Sequence, residues 1–229
     1  MIAKVMENDT IYYRRNMPHI QPGGATFFVT FRLAGSLPKE VVLRLKEEQS
    51  KNERLLYKVK DETERKKKID DQHKLYFGKF DEILDRATSG RNWLKDERIA
   101  KVVADAICLH VKKEFDLLAY CIMLNHVHLV FTVRHDYIPS VRAEARATST
   151  TSRYIVTDIL RLIKGSTARE ANKILNRTGA FWQHESYDRV VRDEKELNRI
   201  IWYTINNPVK AGLVKNADDW KWSYYANVE

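Results

Sequence analysis

The stretch from Leu117 to Val133 constrains the fold more than any other part of the chain. Leu117–Met123 is almost wholly apolar, as in a strand buried on both faces. Leu124-Asn125 makes a tight turn, and His126–Val133 returns antiparallel with a period of two. Val127, Leu129, Phe131 and Val133 therefore share one face, toward a core, and His126 and His128 share the other. Two imidazoles on one rigid strand can hold a divalent ion, because neutral imidazole binds several transition ions. Two ligands are too few for a site. The competing reading is a chance triplet with one ring packed and one solvated.

The remaining elements follow from periodicity. Residues 1–25 are polar and basic, with Arg14-Arg15 and the turn Pro22-Gly23-Gly24. Thr26–Leu33 alternates as a strand. From Lys39 to about Lys68 the chain is dense in Lys, Glu and Arg, which predicts an exposed charged helix or helical pair with Arg65–Lys68 as its most basic patch. Phe77–Leu84 and Ile99–His110 have helical spacing, with Ile99, Val102, Val103, Ala106 and Ile107 on a packed face. Residues 134–156 form a polar loop, and a helix is expected over Thr157–Asn176, carrying Leu160, Ile163 and Lys164. An extended segment, Phe181–Val191, precedes a last helix, Asp193–Asn206. There Asp193 is the expected N-cap and Glu196 completes a capping box. The order β-α-β-β-α predicts an α+β protein with a ferredoxin-like antiparallel sheet and helices. On this reading residues 1–229 form one domain, with a charged helical insertion at about 38–92.

Forty Lys and Arg against 31 Asp and Glu give a formal net charge of +9, which points to an anionic partner, nucleic acid first. No run of about 18 apolar residues predicts a membrane span, and the N-terminal stretch lacks the apolar core of a secretory signal. Cys108 and Cys121 read as small core residues rather than a disulfide. The cytoplasm is the expected compartment.

On a helical wheel, Leu197, Ile200, Ile201, Thr204 and Ile205 cluster on the arc that faces the sheet. Tyr203 and Asn207 lie one turn apart on its flank. Packed against the face carrying His126 and His128, that flank brings an amide oxygen as a third ligand and a phenol as a nucleophile. A phenol with a pKa near 10 attacks a phosphodiester anion poorly at neutral pH. A divalent ion on the non-bridging oxygens offsets the charge developing in the transition state. Tyrosine is also common half-buried on helix flanks, and Asn207-Pro208 is an ordinary helix end.

His126-Val127-His128 resembles the HUH motif of single-tyrosine transposases. The stretch FWQHESYDRVVRDEKELNRIIWYTINNPVKAGLV is similar to the REP-associated tyrosine transposases: Trp182-Gln183, an Asp-Arg strand, then Tyr203 through Gly212 as Tyr-x-x-x-Asn-Pro-Val-Lys-x-Gly. The resemblance spans about residues 11–34 and 94–226. It implies an HUH endonuclease fold and a divalent ion (Mg2+ or Mn2+). It further implies cleavage of single-stranded or hairpin repeat DNA through a covalent 5′-phosphotyrosine intermediate. A DNA-acting protein is expected on the nucleoid, and the sequence leaves monomer and homodimer both open. Carried over by position, Tyr203 is the nucleophile, and His126, His128 and Asn207 hold the ion. From their charge and place in the chain alone, and not from the resemblance, Arg14, Arg15 and Lys164 are candidate DNA contacts. His184 and Glu185 are candidate outer groups. The inserted segment is expected to affect the DNA footprint and not the active site.

Two rivals stand beside this. A DNA-hairpin-binding protein derived from a transposase would not need all four site residues. A two-histidine RNA phosphodiesterase would need two separate histidine motifs, and only one pair is found.

Overall fold

The computed structural model describes residues 24–56, 59–86, 90–136 and 155–226. Arg14, Arg15 and most of the expected 134–156 loop lie outside those residues. Five strands, β1 (Thr26–Leu33), β2 (Phe115–Ile122), β3 (His126–Val133), β4 (Trp182–Val190) and β5 (Ser223–Tyr225), form one sheet in the order β4-β1-β3-β2-β5. Every neighbouring pair is antiparallel. The helices are α1 (Lys39–Leu56), α2 (Glu62–Arg86), α3 (Glu97–His110), α4 (Ile155–Ile174) and α5 (Glu194–Lys210). With α3 between β1 and β2 and α4 between β3 and β4, the first four strands have the ferredoxin-like connection and order.

The pleat separates two cores. Phe27, Val29, Phe31 and Leu33 of β1 join Val127, Leu129, Phe131 and Val133 of β3 beneath Ile99, Val103 and Ile107 of α3 and Ile159, Leu160 and Ile163 of α4. Burying a side chain of this size stabilises by about 1.5–3 kcal/mol, so a one-residue slip of register would forfeit the whole layer. The other face carries a smaller cluster, Phe28, Ala119, Val130 and Ile201, against which Phe77, Tyr187, Leu197, Ile200 and Tyr203 pack. That second face, covered by α5 and α2, is the one to which His126 and His128 belong.

The charged segment is the expected helical pair, α1 followed by α2, and the second helix runs unbroken through Phe77–Leu84 to Arg86. The pair leaves and rejoins the sheet at one point. Arg91 N–H donates to Gly35 O at 3.3 Å, and the Arg91 guanidinium donates to Ala34 O at 3.2 Å. Gly90 has φ +90°, and a Cβ there would lie 2.3 Å from Ser36 O. Only glycine allows the two ends to come so close.

Two expectations need correction. Cys121 is buried, but Cys108 is exposed, on the solvent side of α3. Helix α5 does not end at Asn207; it continues through Pro208 to Lys210 and closes with Ala211 N–H on Asn207 O and Gly212 N–H on Val209 O. Proline so near the C-terminal end removes a single ladder bond. At the other end Asp193 accepts from Glu196 N–H at 2.7 Å, as a cap does. Glu196 reaches back one residue further than a capping box, to Arg192 N–H at 2.9 Å, and also pairs with Arg189.

Candidate active site

Strand β3 is the central strand, between β1 and β2, so its backbone is fixed on both sides. His126 and His128 rise from it fully buried, with their Nε2 atoms 3.0 Å apart. Each ring is held through its far nitrogen. His126 Nδ1 donates to Asn125 Oδ1 at 2.6 Å, and Asn125 is itself anchored by donating to Leu84 O at 3.0 Å. His128 Nδ1 lies 2.8 Å from the Thr30 hydroxyl, which can donate or accept and so tolerates either tautomer. Such outer bonds orient a ligating imidazole and aim its Nε2 inward.

Tyr203 and Asn207 come from α5 and reach the same place. Asn207 is fully buried, not on a half-exposed flank, because α2 packs over it. Its amide lies 2.8 Å from His128 Nε2. Oriented with its oxygen toward that nitrogen, the amide donates to Asp85 at 2.7 and 3.1 Å. Tyr203 is half-buried, and its hydroxyl donates to Asp81 Oδ2.

Asp81 and Asp85 are the residues that sequence reasoning missed, and they overturn the expectation that the insertion leaves the site untouched. Both lie on α2, within the segment expected from the sequence to be an insertion. Asp81 Oδ1 is 3.5 Å from His128 Nε2 and 3.8 Å from His126 Nε2; Asp85 Oδ1 is 3.6 Å from His126 Nε2. The signal was faintly present: Phe77, Asp81, Leu84 and Asp85 share one helical stripe, an odd position for two acids.

The electrostatics follow from enclosure. Burial, first, pulls both imidazoles down to about 3, and for His126 its neighbour His128 adds to the effect. The close approach of His126 to two carboxylates is therefore a contact of neutral rings, not a salt bridge. Burial and then the charge of Asp81 push the Asp85 carboxyl above its usual range, opposed by Lys210, which donates to it at 2.8 Å. Burial and Asp81 likewise push the Tyr203 phenol above its usual value, so the enclosed state keeps it protonated.

These residues fit a divalent ion. Asp81 Oδ1 is buried with no hydrogen-bond partner, which is costly for a carboxylate oxygen unless a cation meets it. One donor atom from each of Asp81, His126 and His128 lies within 4.8 Å of the others. Ligand bonds of about 2.0–2.2 Å to an ion allow donor pairs up to about 4.4 Å apart, which covers the 3.0, 3.5 and 3.8 Å separations observed. Two imidazole nitrogens with carboxylate and amide oxygens suit a hard or borderline divalent ion rather than one that prefers sulfur.

The other candidates lie elsewhere. Lys164 donates to Gln183 O at 2.6 Å and His184 O at 2.9 Å, tying α4 to β4 beside the larger core. His184 is exposed. Glu185 accepts from Gln183 Nε2 at 2.7 Å. Of two further tyrosines, Tyr187 is stacked on Phe77 and lines the cleft that opens beside Tyr203, and Tyr224 lies on β5.

The antiparallel α+β sheet, with a His-Val-His strand meeting a tyrosine helix, is the arrangement that the resemblance to HUH single-tyrosine proteins implied. More narrowly, the chain resembles the REP-associated tyrosine transposases. A curated protein of Haemophilus influenzae, whose name places it provisionally in that group, is 28% identical over 113 residues, 48% of this chain and 59% of the relative. The matched part is thus about three-fifths of that protein's length. A solved structure described as the REP-associated tyrosine transposase bound to a REP hairpin aligns over 88% of this chain and 76% of its own, at 17% identity and a TM-score of 0.41. No family model matches the chain. Among the described residues no helix is long and apolar enough to cross a membrane.

Proposed function

We propose that the chain is a metal-dependent single-stranded DNA endonuclease and strand transferase that acts on repeat hairpins through a covalent 5′-phosphotyrosine. The observation that carries this reading is the meeting of the Tyr203 hydroxyl, two inward imidazole nitrogens and the unpartnered Asp81 Oδ1 in one enclosed pocket. His126, His128, Asp81 and the Asn207 amide oxygen would hold the ion. Bound there, the ion supplies charge neutralisation at the non-bridging phosphate oxygens.

The chain's own residues do the rest. Tyr203 is the nucleophile, and Asp81 holds its hydroxyl and accepts its proton as the oxygen attacks. The bond from phosphorus to the 3′ oxygen breaks, and that oxygen takes up a proton from solvent, so the strand ends in a free 3′-OH and the 5′ phosphate stays on the tyrosine. The ester exchanged for the phosphodiester keeps its energy, and the reverse attack rejoins a strand without ATP. Thr30 and Asn125 keep the imidazoles aimed. Lys74, Arg189 and Arg199 line the cleft that opens beside Tyr203 and offer positive charge to the approaching backbone. The reading places the protein in the cytoplasm, on the nucleoid.

Hairpin binding without cleavage is favoured by one observation: the imidazoles are sealed and the phenol is held by a carboxylate. Incubation with labelled single-stranded and hairpin oligonucleotides and Mn2+ separates the two. A covalent protein–DNA band at Tyr203 supports cleavage; binding with no covalent band under any metal condition overturns it.

A further inference from the structure

A second cleft opens on the far side of the Phe77–Tyr187 ring pair, whose centroids are 4.1 Å apart and whose planes are 24° from parallel. Both rings line it, and both also line the cleft beside Tyr203, so one aromatic partition separates the two. Its other walls come from four elements: Thr30 and Arg32 of β1, Gln183 and Glu185 of β4, Val42 and Lys46 of α1, and Tyr76 and Phe80 of α2. Without the insertion it has no roof.

Its polar end is unusual. Arg32 is 8% exposed, donates to Ser36 Oγ at 3.1 Å and lies over the Phe80 ring, 5.4 Å from its centroid. Burial pulls its guanidinium below the usual range, and Glu185 opposes that only through its charge. A buried guanidinium has five donors, and one serine hydroxyl leaves most of them to be met by something else. Opposite it, Gln183 occupies one oxygen of Glu185, and the second remains an acceptor. The cleft thus offers flat aromatic walls with a rigid donor fork and a carboxylate at one end.

We propose that this cleft holds one unstacked nucleobase of the bound strand, of the kind that carries both a carbonyl oxygen and an exocyclic amine, guanine or cytosine. The aromatic walls stack the base, Arg32 donates to its carbonyl and ring nitrogen, and Glu185 accepts from its amine. Thymine has no amine for Glu185, and adenine has no carbonyl for Arg32. The inference rests on the DNA reading above, and it gives the inserted hairpin a role in choosing where that DNA is held.

The test uses the full chain and four fluorescent probes: a 15-mer of thymidine and the same strand with one central dG, dC or dA. Anisotropy titration should show the dG and dC probes binding about ten-fold more tightly than the all-thymidine strand, within the range of one bidentate base contact, with dA close to thymidine. Arg32→Gln should abolish that ranking. Glu185→Gln, which keeps shape at a half-buried position, should flatten it too, so a folding defect in the first variant does not decide the matter. Equal affinity for all four probes, a purine-only preference, or a ranking that survives both substitutions overturns the proposal. Covalent adduct formation with a flat ranking would sink this inference and leave the endonuclease reading standing; a ranking that depends on Arg32, without adduct, would do the reverse.

Discussion

One carboxylate connects the two halves of the site. Asp81 Oδ2 takes the Tyr203 hydroxyl, and its other oxygen faces the imidazoles with no donor of its own. Tyr203→Phe is therefore expected to abolish covalent adduct while hairpin binding persists. It should cost about 1–3 kcal/mol of stability, because a buried acceptor loses its donor. An adduct that survives in Tyr203→Phe and maps to Tyr187 or Tyr224 would reassign the nucleophile. Loss of His126 or His128 to Ala should cripple cleavage, and excess Mn2+ should rescue Asn207→Ala better than either, since both imidazoles remain in the first case. Independently of activity, Mn2+ at about a hundred times its dissociation constant should stabilise the wild type by about 2.7 kcal/mol in a thermal melt. Asp81→Asn should lose most of that rise; an unchanged rise would take Asp81 out of the ligand set. The histidines were legible because a period of two in an apolar run admits only one assignment of faces. Asp81 was not, because in sequence it sits 45 residues from His126, in a segment whose charge matches any solvated helix.

Among the elements, strands were read most closely. β1 and β3 have the expected limits, Thr26–Leu33 and His126–Val133, since alternation against turn residues fixes both ends. Helix α5 was read correctly at its start and wrongly at its end: a cap is a local bond, whereas passage through Pro208 depends on packing against the sheet and α2, which no local rule contains. Asp193→Ala should lower stability by about 1 kcal/mol, the usual cost of a lost N-cap, seen as a lower melting temperature with the metal-induced rise intact. If that rise disappears as well, the cap does more than hold the helix. The inserted pair shows how charge misleads. Glu62–Lys66 and Glu64–Lys68 are the exposed i,i+4 pairs that the composition suggests, worth a few tenths of a kcal/mol each. Twenty residues further along, the same helix buries two acids.

At the scale of the molecule, pH acts through the buried rings. Both imidazoles titrate far lower in the folded chain than the ordinary 6.5, so below that value the unfolded state binds more protons. Their contribution is present in full above pH 6.5 and is lost as pH falls toward about 3. The raised Asp85 carboxyl acts in the opposite sense and offsets part of this loss. Metal-free protein should still melt at lower temperature through that window, with two rings against one carboxyl, and His128→Gln should soften the dependence; a profile unchanged in His128→Gln would mean that the ring is not buried neutral. With a net charge of +9 and about four to six phosphates neutralised, log affinity for single-stranded DNA should fall against log salt with a slope near −3 to −4, and a hairpin with single-stranded flanks should bind better than perfect duplex. The complete enclosure of His126, His128, Asp81 and Asn207 also sets a clock. An ion seated there can leave only when α2 lifts, so stripping by a chelator should run at the helix's opening rate, independent of chelator concentration once that is high. The protein would then keep its metal between encounters with DNA, even where free metal is scarce, and surrender it only when the α1–α2 pair swings away.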